Sequence, residues 1–568
     1  KVFRSRREVN AESPIISIKK LKLEIRTTTG MKNRRLEVRK TFNESLLVYE
    51  TTIQDVVERI DITGLEPETS YTYRVGDESA TVRTFASFTQ STLRVGFGSC
   101  STSCITHFVK NTLKQHALNT GTSGSTSSVF REIANQDLDL FIHLGDMHYE
   151  DISVNSTERF LDAFDIVHAS STQTELFRSV PFVYMYDDHD FGPNNADMTS
   201  MSRDAAVRNY RRCVPHYPLE KSSQDNEALY HAFTIGRVRF VVPDLKSEML
   251  NDGSMMSSTQ MDWFLSEIRD ANKYALVVLV LGVPWISDDS GWGSHQDDRS
   301  NISNTILEMY RNHTSSSLGG HANIVGLAGD AHSMAFDDGM NSAGNFPMIQ
   351  AAPLEQIGRT KGGFYTSGCY GYGASYSSQY AIIEIIDSGI SGPQSICIDL
   401  ELRRVGDSSP TYETSFCGPF INTSRSNDSM SRKKCEIDLF PSHEMLEMVF
   451  SGLFVGVATG IVIARYVWMY RINCRETSDD GVFLLSNLML GYVWIGITFW
   501  ILYVGLEYRG FRTNPPVYLA RTGFVAFVPL TILFVSILII VVQGKSGSKE
   551  TAASVRDIEI AKKSRKTV

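Results

Sequence analysis

Apolar and polar positions follow three successive regimes along the chain. Up to about residue 92, short runs at 15–18, 21–25, 46–49 and 71–75 have strand composition with partial alternation, as in half-buried β-strands. The stretch Gly64-Leu65-Glu66-Pro67-Glu68 turns into a strand carrying Tyr71 and Tyr73, a signal common in fibronectin-like sandwiches. From residue 93 to about 405, apolar runs at 93–97, 138–144, 182–186, 229–233, 238–242, 275–283 and 324–328 read as strands. Helical segments at 129–135, 160–178, 258–271 and 301–311 lie between them, and the last strand, 324–328, is expected to complete the core. Such alternation predicts a layered α/β domain. Beyond it, residues 445–468, 482–503 and 524–542 are each apolar over roughly the 20 residues that cross a bilayer. The expected organisation is an N-terminal all-β sandwich (1–92), an α/β domain with a β-sandwich core flanked by helices (93–405), a Cys-containing linker (406–442), three transmembrane helices (443–543) and a basic tail (544–568).

Charge and cysteines place these parts. A net charge of −9 argues against nucleic acid as a partner. The tail residues Lys545, Lys549, Arg556, Lys562, Lys563, Arg565 and Lys566 favour the cytoplasm, as do Arg465, Arg471 and Arg475 after the first span. Arg509, Arg512 and Arg521 spoil a clean count in the middle loop. Three spans then leave the large N-terminal part extracellular or luminal. Glycosylation sequons at Asn43, Asn155, Asn301, Asn312, Asn422 and Asn427 all precede the first span. The chain starts at Lys1 without a methionine, which leaves open a preceding signal peptide or longer N-terminus and says nothing about secretion. Of eight cysteines, Cys474 falls on the cytoplasmic side and seven lie where disulfides persist. Seven is odd, which leaves one for chemistry, an intermolecular bridge or an idle thiol.

Four of the strands end in residues that can do chemistry. Strand 93–97 runs into Gly98-Ser99-Cys100, and strand 138–144 into Gly145-Asp146-Met147-His148-Tyr149. Strand 182–186 runs into Asp187-Asp188-His189-Asp190, and strand 324–328 into Gly329-Asp330-Ala331-His332. Taken singly, a Gly-Asp pair is a turn cap, Asp187-Asp188-His189 is a solvated loop, and Cys100 is a disulfide partner. Taken together as ends of parallel neighbours, they meet at one edge of a sheet, where open α/β sheets bind ligands. Clustered carboxylates, a thiol and imidazoles require a compensating cation. A mixed sulfur, oxygen and nitrogen set favours a transition metal at one position, and an oxygen-rich set favours calcium, magnesium or manganese at another. Two metals about 3.5–4 Å apart, bridged by a carboxylate, suit hydrolysis of phosphate esters.

The ordered set of motifs, over roughly residues 60–400, resembles the PhoD-like alkaline phosphatases of the calcineurin-like metallophosphoesterase group. It comprises the lead-in at Leu65, Gly98-Ser99-Cys100, Leu144-Gly145-Asp146 with Tyr149, Asp187 through Asn195, Trp263 on an amphipathic helix, and Gly329-Asp330-Ala331-His332. The resemblance implies that Asp146 bridges two metals, with Cys100, Tyr149 and His332 completing an iron(III) site. Asp188 and Asp330 would hold a second metal, resembling calcium. His189 would contact the scissile phosphate and assist the leaving group, and Asn195 is a candidate substrate-binding residue. With Cys100 a ligand, the six other extracellular cysteines suffice for three disulfides. The implied substrates are small phosphate monoesters, diesters or both. Met147 and His148 depart from the family pattern, the first read as packing and the second as a loop histidine. The three spans also depart from the usual secreted form and imply an enzyme fixed in a membrane.

Other residues have a bland alternative beside a functional one. Trp285 and Trp292 border the pocket or pack in the core, and Arg203, Arg208, Arg211 and Arg212 form a solvated helix face or offer a phosphate clamp. A catalytically idle receptor or adhesion ectodomain is the competing function, which the intact ligand set argues against. A transport role is disfavoured because the spans carry few internal charges.

Overall fold

The computed structural model describes residues 20–26, 34–54, 57–85, 91–101, 125, 127–214, 216–220, 229–251, 253–288, 290–314, 323–355, 361–371, 378–390, 395–420 and 433–434. The chain divides into two compact units, Lys1–Leu446 and Glu447–Val568. The three expected spans and the basic tail lie outside the described residues, and no helix among the described residues is long and apolar enough to cross a membrane.

The expected runs at 21–25, 46–49 and 71–75 fall in strands, and the run at 15–18 lies outside the described residues. β1 (Lys20–Arg26) and β4 (Val57–Thr63) pair antiparallel. β2 (Arg35–Lys40), β3 (Asn43–Thr52), β5 (Ser70–Val75) and β6 (Glu78–Arg83) form a second sheet in the order β3-β2-β5-β6. Alternate residues point to one face, so Leu36, Val38, Tyr71, Tyr73 and Val75 meet Ile60 and Ile62 in one buried cluster. The Tyr71 hydroxyl accepts the Glu66 N–H at 2.8 Å and pins the turn before its own strand.

Two larger sheets build the second part. β7 (Ser91–Gly98), β8 (Leu140–His143), β9 (Phe182–Tyr184), β18 (Gln379–Asp387), β19 (Ile396–Arg404) and β20 (Tyr412–Cys417) are ordered β20-β19-β18-β7-β8-β9. The other sheet holds β10 (His231–Ile235), β11 (Val238–Val242), β12 (Leu276–Gly282), β13 (Ile324–Ala328), β14 (Ser333–Asp337), β15 (Met348–Gln350) and β17 (Ser367–Gly371). Its order is β10-β11-β12-β13-β15-β14-β17. The short β16 (Phe364–Tyr365) and β21 (Lys433–Lys434) pair with each other. Each large sheet has a parallel portion: β7-β8-β9 at one end of the first, β11-β12-β13-β15 in the middle of the other.

The sheets pack face to face. Val95, Phe97, Leu140 and Ile142 share one buried core with Phe240, Val278, Leu279 and Leu327. The opposite face of β8 and β9 offers Phe141, Phe182 and Tyr184 to residues of helices Thr157–Ala169, Ser171–Ser179 and Arg203–Cys213. Neighbouring residues of β8 therefore face two different cores, as a period of two requires. The unbroken apolar run of β12 is fully buried, which fits a central parallel strand.

Three expectations change. Strand 324–328 does not complete the core, because β18 and β19 follow it and sit beside β7. Their inward residues alternate: Ile396, Ile398, Leu400 and Leu402 are buried, with half-buried partners between. Segment 406–442 is not wholly a linker, since Tyr412–Cys417 forms the edge strand β20, held by backbone pairing to β19. Helical segment 160–178 is two helices, broken where Ser170 leaves the helical conformation and caps the second by accepting the Gln173 N–H.

Cys397 and Cys417 are directly opposed in the β19–β20 pair and form the disulfide seen among the described residues. Cys104 and Cys435 lie outside the described residues, so the expected set of three bridges is not on view. Asn43, Asn155 and Asn301 are exposed, as sequons require, while Asn422 and Asn427 lie outside the described residues and Asn312 falls in the helix Gln296–Thr314. Replacing both Cys397 and Cys417 by Ser should lower stability by roughly 2–4 kcal/mol, measured as a lower denaturant midpoint. An unchanged midpoint would mean that backbone pairing alone secures the edge strand.

Candidate metal centre

The backbone comes first, because it holds the side chains in place. β8 ends at His143, and the chain turns sharply through Gly145, whose φ of +105° suits glycine. A Cβ there would lie 2.5 Å from Asp187 Cβ and 2.8 Å from the Asp187 backbone nitrogen. Asp146, Cys100, Asp330 and His332 all adopt left-handed φ values, between +51° and +61°. Such strain in non-glycine residues persists only where surrounding bonds fix it. Cys100 N–H donates to Gly145 O at 3.1 Å and Ser101 N–H to Asp146 O at 2.8 Å, so these two turns brace each other. The Asp190 carboxylate accepts the N–H groups of Asp146, Met147 (2.7 Å) and His148 (3.1 Å). Ser99 Oγ accepts the Asp330 N–H at 2.8 Å, tying the second sheet's turn to the first sheet.

The side chains converge on Asp146. Tyr149 Oη donates to its Oδ2 at 2.9 Å, Cys100 Sγ lies 3.7 Å from the same oxygen, and the His189 N–H donates to Oδ1 at 3.2 Å. Two sets of ligand atoms each lie within 4.8 Å of one another: Cys100 with Asp146 and Asp330, and Asp146 with Asp188 and His189. Asp146 is common to both. The four strand ends do meet, but not as neighbours of one sheet. Cys100, Asp146 and Asp188 follow the parallel strands β7, β8 and β9, whereas Asp330 follows β13 of the opposite sheet. Asp188 opens the short helix Asp188–Phe191, capped by Asp187.

Residues 119–351 match the family model of the PhoD-like phosphatase. The chain carries a PhoD-like phosphatase domain. This domain is a phosphate-ester hydrolase. The match takes in Asp146, Asp188, Asp330 and His332, while Cys100 precedes it. Among solved structures the chain is similar to "Structure of PhoD", with 15% identity over 72% of this chain and 92% of that one, at a TM-score of 0.48. It is also similar to the purple acid phosphatase PPD1 isolated from yellow lupin (Lupinus luteus) seeds, with 11% identity, 73% of this chain, 74% of that one and a TM-score of 0.43. No curated protein shows a significant sequence match.

Electrostatics in the PhoD-like domain follow from like charges taken out of water. Burial raises the Asp146 carboxyl well above its ordinary range; His189 opposes the shift, and Asp187, Asp188 and Asp190 add to it. Burial, then the Asp146 and Asp330 carboxylates, push the Cys100 thiol far up, and burial, Asp146 and Cys100 do the same to the Tyr149 phenol. Burial also lifts Asp190 to about 7 and Asp187 to about 6, the latter against the pull of Lys246. These groups release their protons readily only if a cation takes the protons' place. Their sulfur, phenolate and carboxylate donors fit a metal ion.

His332 stands apart from both ligand sets. Burial and then Lys361 hold its imidazole down to about 4, and its buried Nδ1 has no hydrogen-bond partner. Asn195 meets the site through its backbone: its N–H donates to Asp188 Oδ2 at 2.6 Å. His148, expected as a loop histidine, is buried edge-on to Phe164, and Met147 packs in the helix-side core as expected. Trp285 and Trp292 are fully buried core residues, their indole N–H groups donating to Ala343 O and Leu281 O. Arg203 donates to Ser247 O and Arg208 to Asn155 Oδ1.

Five contributors escape sequence reasoning. Asp190 is a motif residue whose role in gathering backbone N–H groups was not foreseen, and Asp151 sits two residues beyond motif position Tyr149, so proximity was its signal. Asp151 Oδ1 lies 2.6 Å from His189 Nδ1, and the Tyr149 ring packs on the imidazole at 4.2 Å between centroids. Ser99 is a motif residue whose role is invisible without the second sheet. Lys246 Nζ lies 2.6 Å from Asp187 Oδ1 and Lys361 Nζ 2.6 Å from Asp330 Oδ1; neither has a local motif.

Burial works to lower the His189 pKa, but Asp146, Asp151 and Asp188 outweigh it and raise it to about 10. The charged imidazole is therefore favoured in the folded chain, a contribution complete below about pH 6.5 and lost as pH rises through about 10. Asp151→Asn should move the His189 midpoint downward, followed by its imidazole NMR resonances. No movement would assign the shift to Asp146 and Asp188 alone.

Proposed function

We propose that the chain is a membrane-anchored, metal-dependent phosphatase or phosphodiesterase that hydrolyses phosphate esters outside the cytoplasm. The observation that carries this is the pair of buried ligand sets sharing Asp146 where the two sheets meet, inside a PhoD-like domain. In this proposal Asp146 bridges two metals. Cys100, Tyr149 and His332 complete an iron(III) position, and Asp188 and Asp330 hold a calcium position. When bound, the metals supply Lewis acidity toward phosphate oxygens and lower the pKa of water.

The chain's own residues do the rest. Cys100 and Tyr149 present anionic donors once the local charge is compensated, and Asp190 keeps the Asp146 turn in its strained shape through the N–H bonds it accepts. Asp151 engages His189 Nδ1, so that Nε2 delivers the proton to the leaving oxygen. Asp151, which is not one of the proposed metal ligands, favours the protonated imidazole. Asn195 steadies Asp188 and stands at the edge of the site as a candidate contact for substrate. Placement outside the cytoplasm is supported by sequons confined to the part before the spans and by the Cys397–Cys417 disulfide.

Two experiments test this. In the full-length protein, Asp146→Asn should remove bound metal and reduce hydrolysis of phosphate mono- and diesters by at least about 100-fold, and Cys100→Ser should reduce metal content without losing a disulfide. A wild-type protein that is metal-free and inert toward both esters would sink the enzyme proposal. For topology, glycosidase treatment of the membrane-expressed chain should increase its gel mobility, and Asn155→Gln with Asn301→Gln should shrink that shift. A chain that runs unchanged would place the domain on the cytoplasmic side.

A further inference from the structure

Two lysines reach into the carboxylate cluster, and they differ in how tightly they are held. Lys246 pairs with Asp187, and both side chains are almost wholly buried, at 9% and 2% exposure. The backbone N–H of Lys246 is fixed by Asp244 Oδ1, so its ammonium is a permanent counter-charge behind the site. Lys361 pairs with Asp330, but its side chain is 37% exposed while the carboxylate is 10% exposed. Part of the Lys361 stem is therefore open to solvent, while its ammonium is turned in against Asp330. Its backbone is anchored by an N–H bond to Ala331 O at 2.8 Å, and Gly362 follows with a φ of +118°. The stem is thus tethered beside the Asp330 turn while its charged end reaches in from outside.

Asp330 also belongs to the ligand set with Cys100 and Asp146. An ammonium and a metal cation compete for the same carboxylate oxygens and repel each other at contact distance. Lys246 has no route outward, because both partners are enclosed. Lys361 has one, because a flexible four-carbon stem on the open side swings with little steric cost. In a phosphate-ester hydrolase the anion that an ammonium released from Asp330 can pair with is the phosphoryl group of the substrate. We propose that Lys361 is a phosphate-binding residue, which exchanges Asp330 for a phosphoryl oxygen when Asp330 takes up a cation. This rests on the phosphate-ester reading of the same site. It assigns to Lys361 a phosphate clamp, whereas Arg203 and Arg208 are bonded to Ser247 O and Asn155 Oδ1.

The test compares full-length wild type, Lys361→Met and Lys361→Arg, each loaded with metal and assayed for metal content. Lys361→Met should raise KM for a phosphate ester and weaken inorganic phosphate, as competitive inhibitor and by calorimetry, by roughly tenfold. Its kcat should change much less, its metal content should equal wild type, and Lys361→Arg should restore most of the phosphate affinity. Unchanged phosphate affinity in Lys361→Met would overturn the proposal, as would a change in metal content that accounts for the KM effect. A wild type that hydrolyses no ester would fail the enzyme reading. Even then, calorimetry with inorganic phosphate decides Lys361: retained binding in Lys361→Met rejects it, and loss of binding with full metal content supports it.

Discussion

Like charges held together out of water are the constraint on which the rest of this structure depends. Asp146, Asp187, Asp188, Asp190 and Asp330 are all buried at one junction, beside a buried thiol and phenol. Burial drives protons onto Asp146, Asp187 and Asp190, and at Asp146 the neighbouring carboxylates add to that tendency. The chain meets this with two ammonium groups, a raised imidazole and ligand sets shaped for cations. The same arrangement explains why the surrounding backbone is so heavily bonded: an unstable cluster must be fixed from outside.

That fixing is done by backbone hydrogen bonds rather than by apolar packing. Asp190 sits beneath the Asp146 turn and gathers consecutive N–H groups, a use of a carboxylate that compensates its own desolvation. Ser99 bridges the sheets through one hydroxyl, which receives the Asp330 N–H and lies 3.3 Å from Cys100 Sγ. A side chain at Gly329 would meet that hydroxyl at 2.6 Å, so the close approach of the sheets needs glycine there. The left-handed turns at Cys100, Asp146 and Asp330 are each braced by such bonds, and together they aim side chains from separate strands at one point.

The two-sheet architecture makes that aim possible. The parallel strands of each sheet deliver their carboxyl ends to the same side, and the shared apolar core sets the spacing between them. Trp285 and Trp292 could by sequence border the pocket or pack in the core; both are enclosed, their rings packed on each other and Trp285 on Phe346.

Local pattern determined much of this chain. Apolar runs bounded by Gly-Asp and Gly-Ser marked the strand ends, since a buried strand must stop where polar groups begin. The ligand types at those ends announced cation chemistry and the family resemblance. The alternation of β19 was also legible, though β18 and β19 were not singled out as strands. What tertiary structure alone decided is which ends face each other. Asp330 reaches the site from the opposite sheet, docked on Ser99 from 231 residues away. Lys246 and Lys361 become counter-charges only through that packing. Periodicity is set by neighbours three or four residues apart, whereas the meeting of two sheets is set by shape complementarity across the whole core.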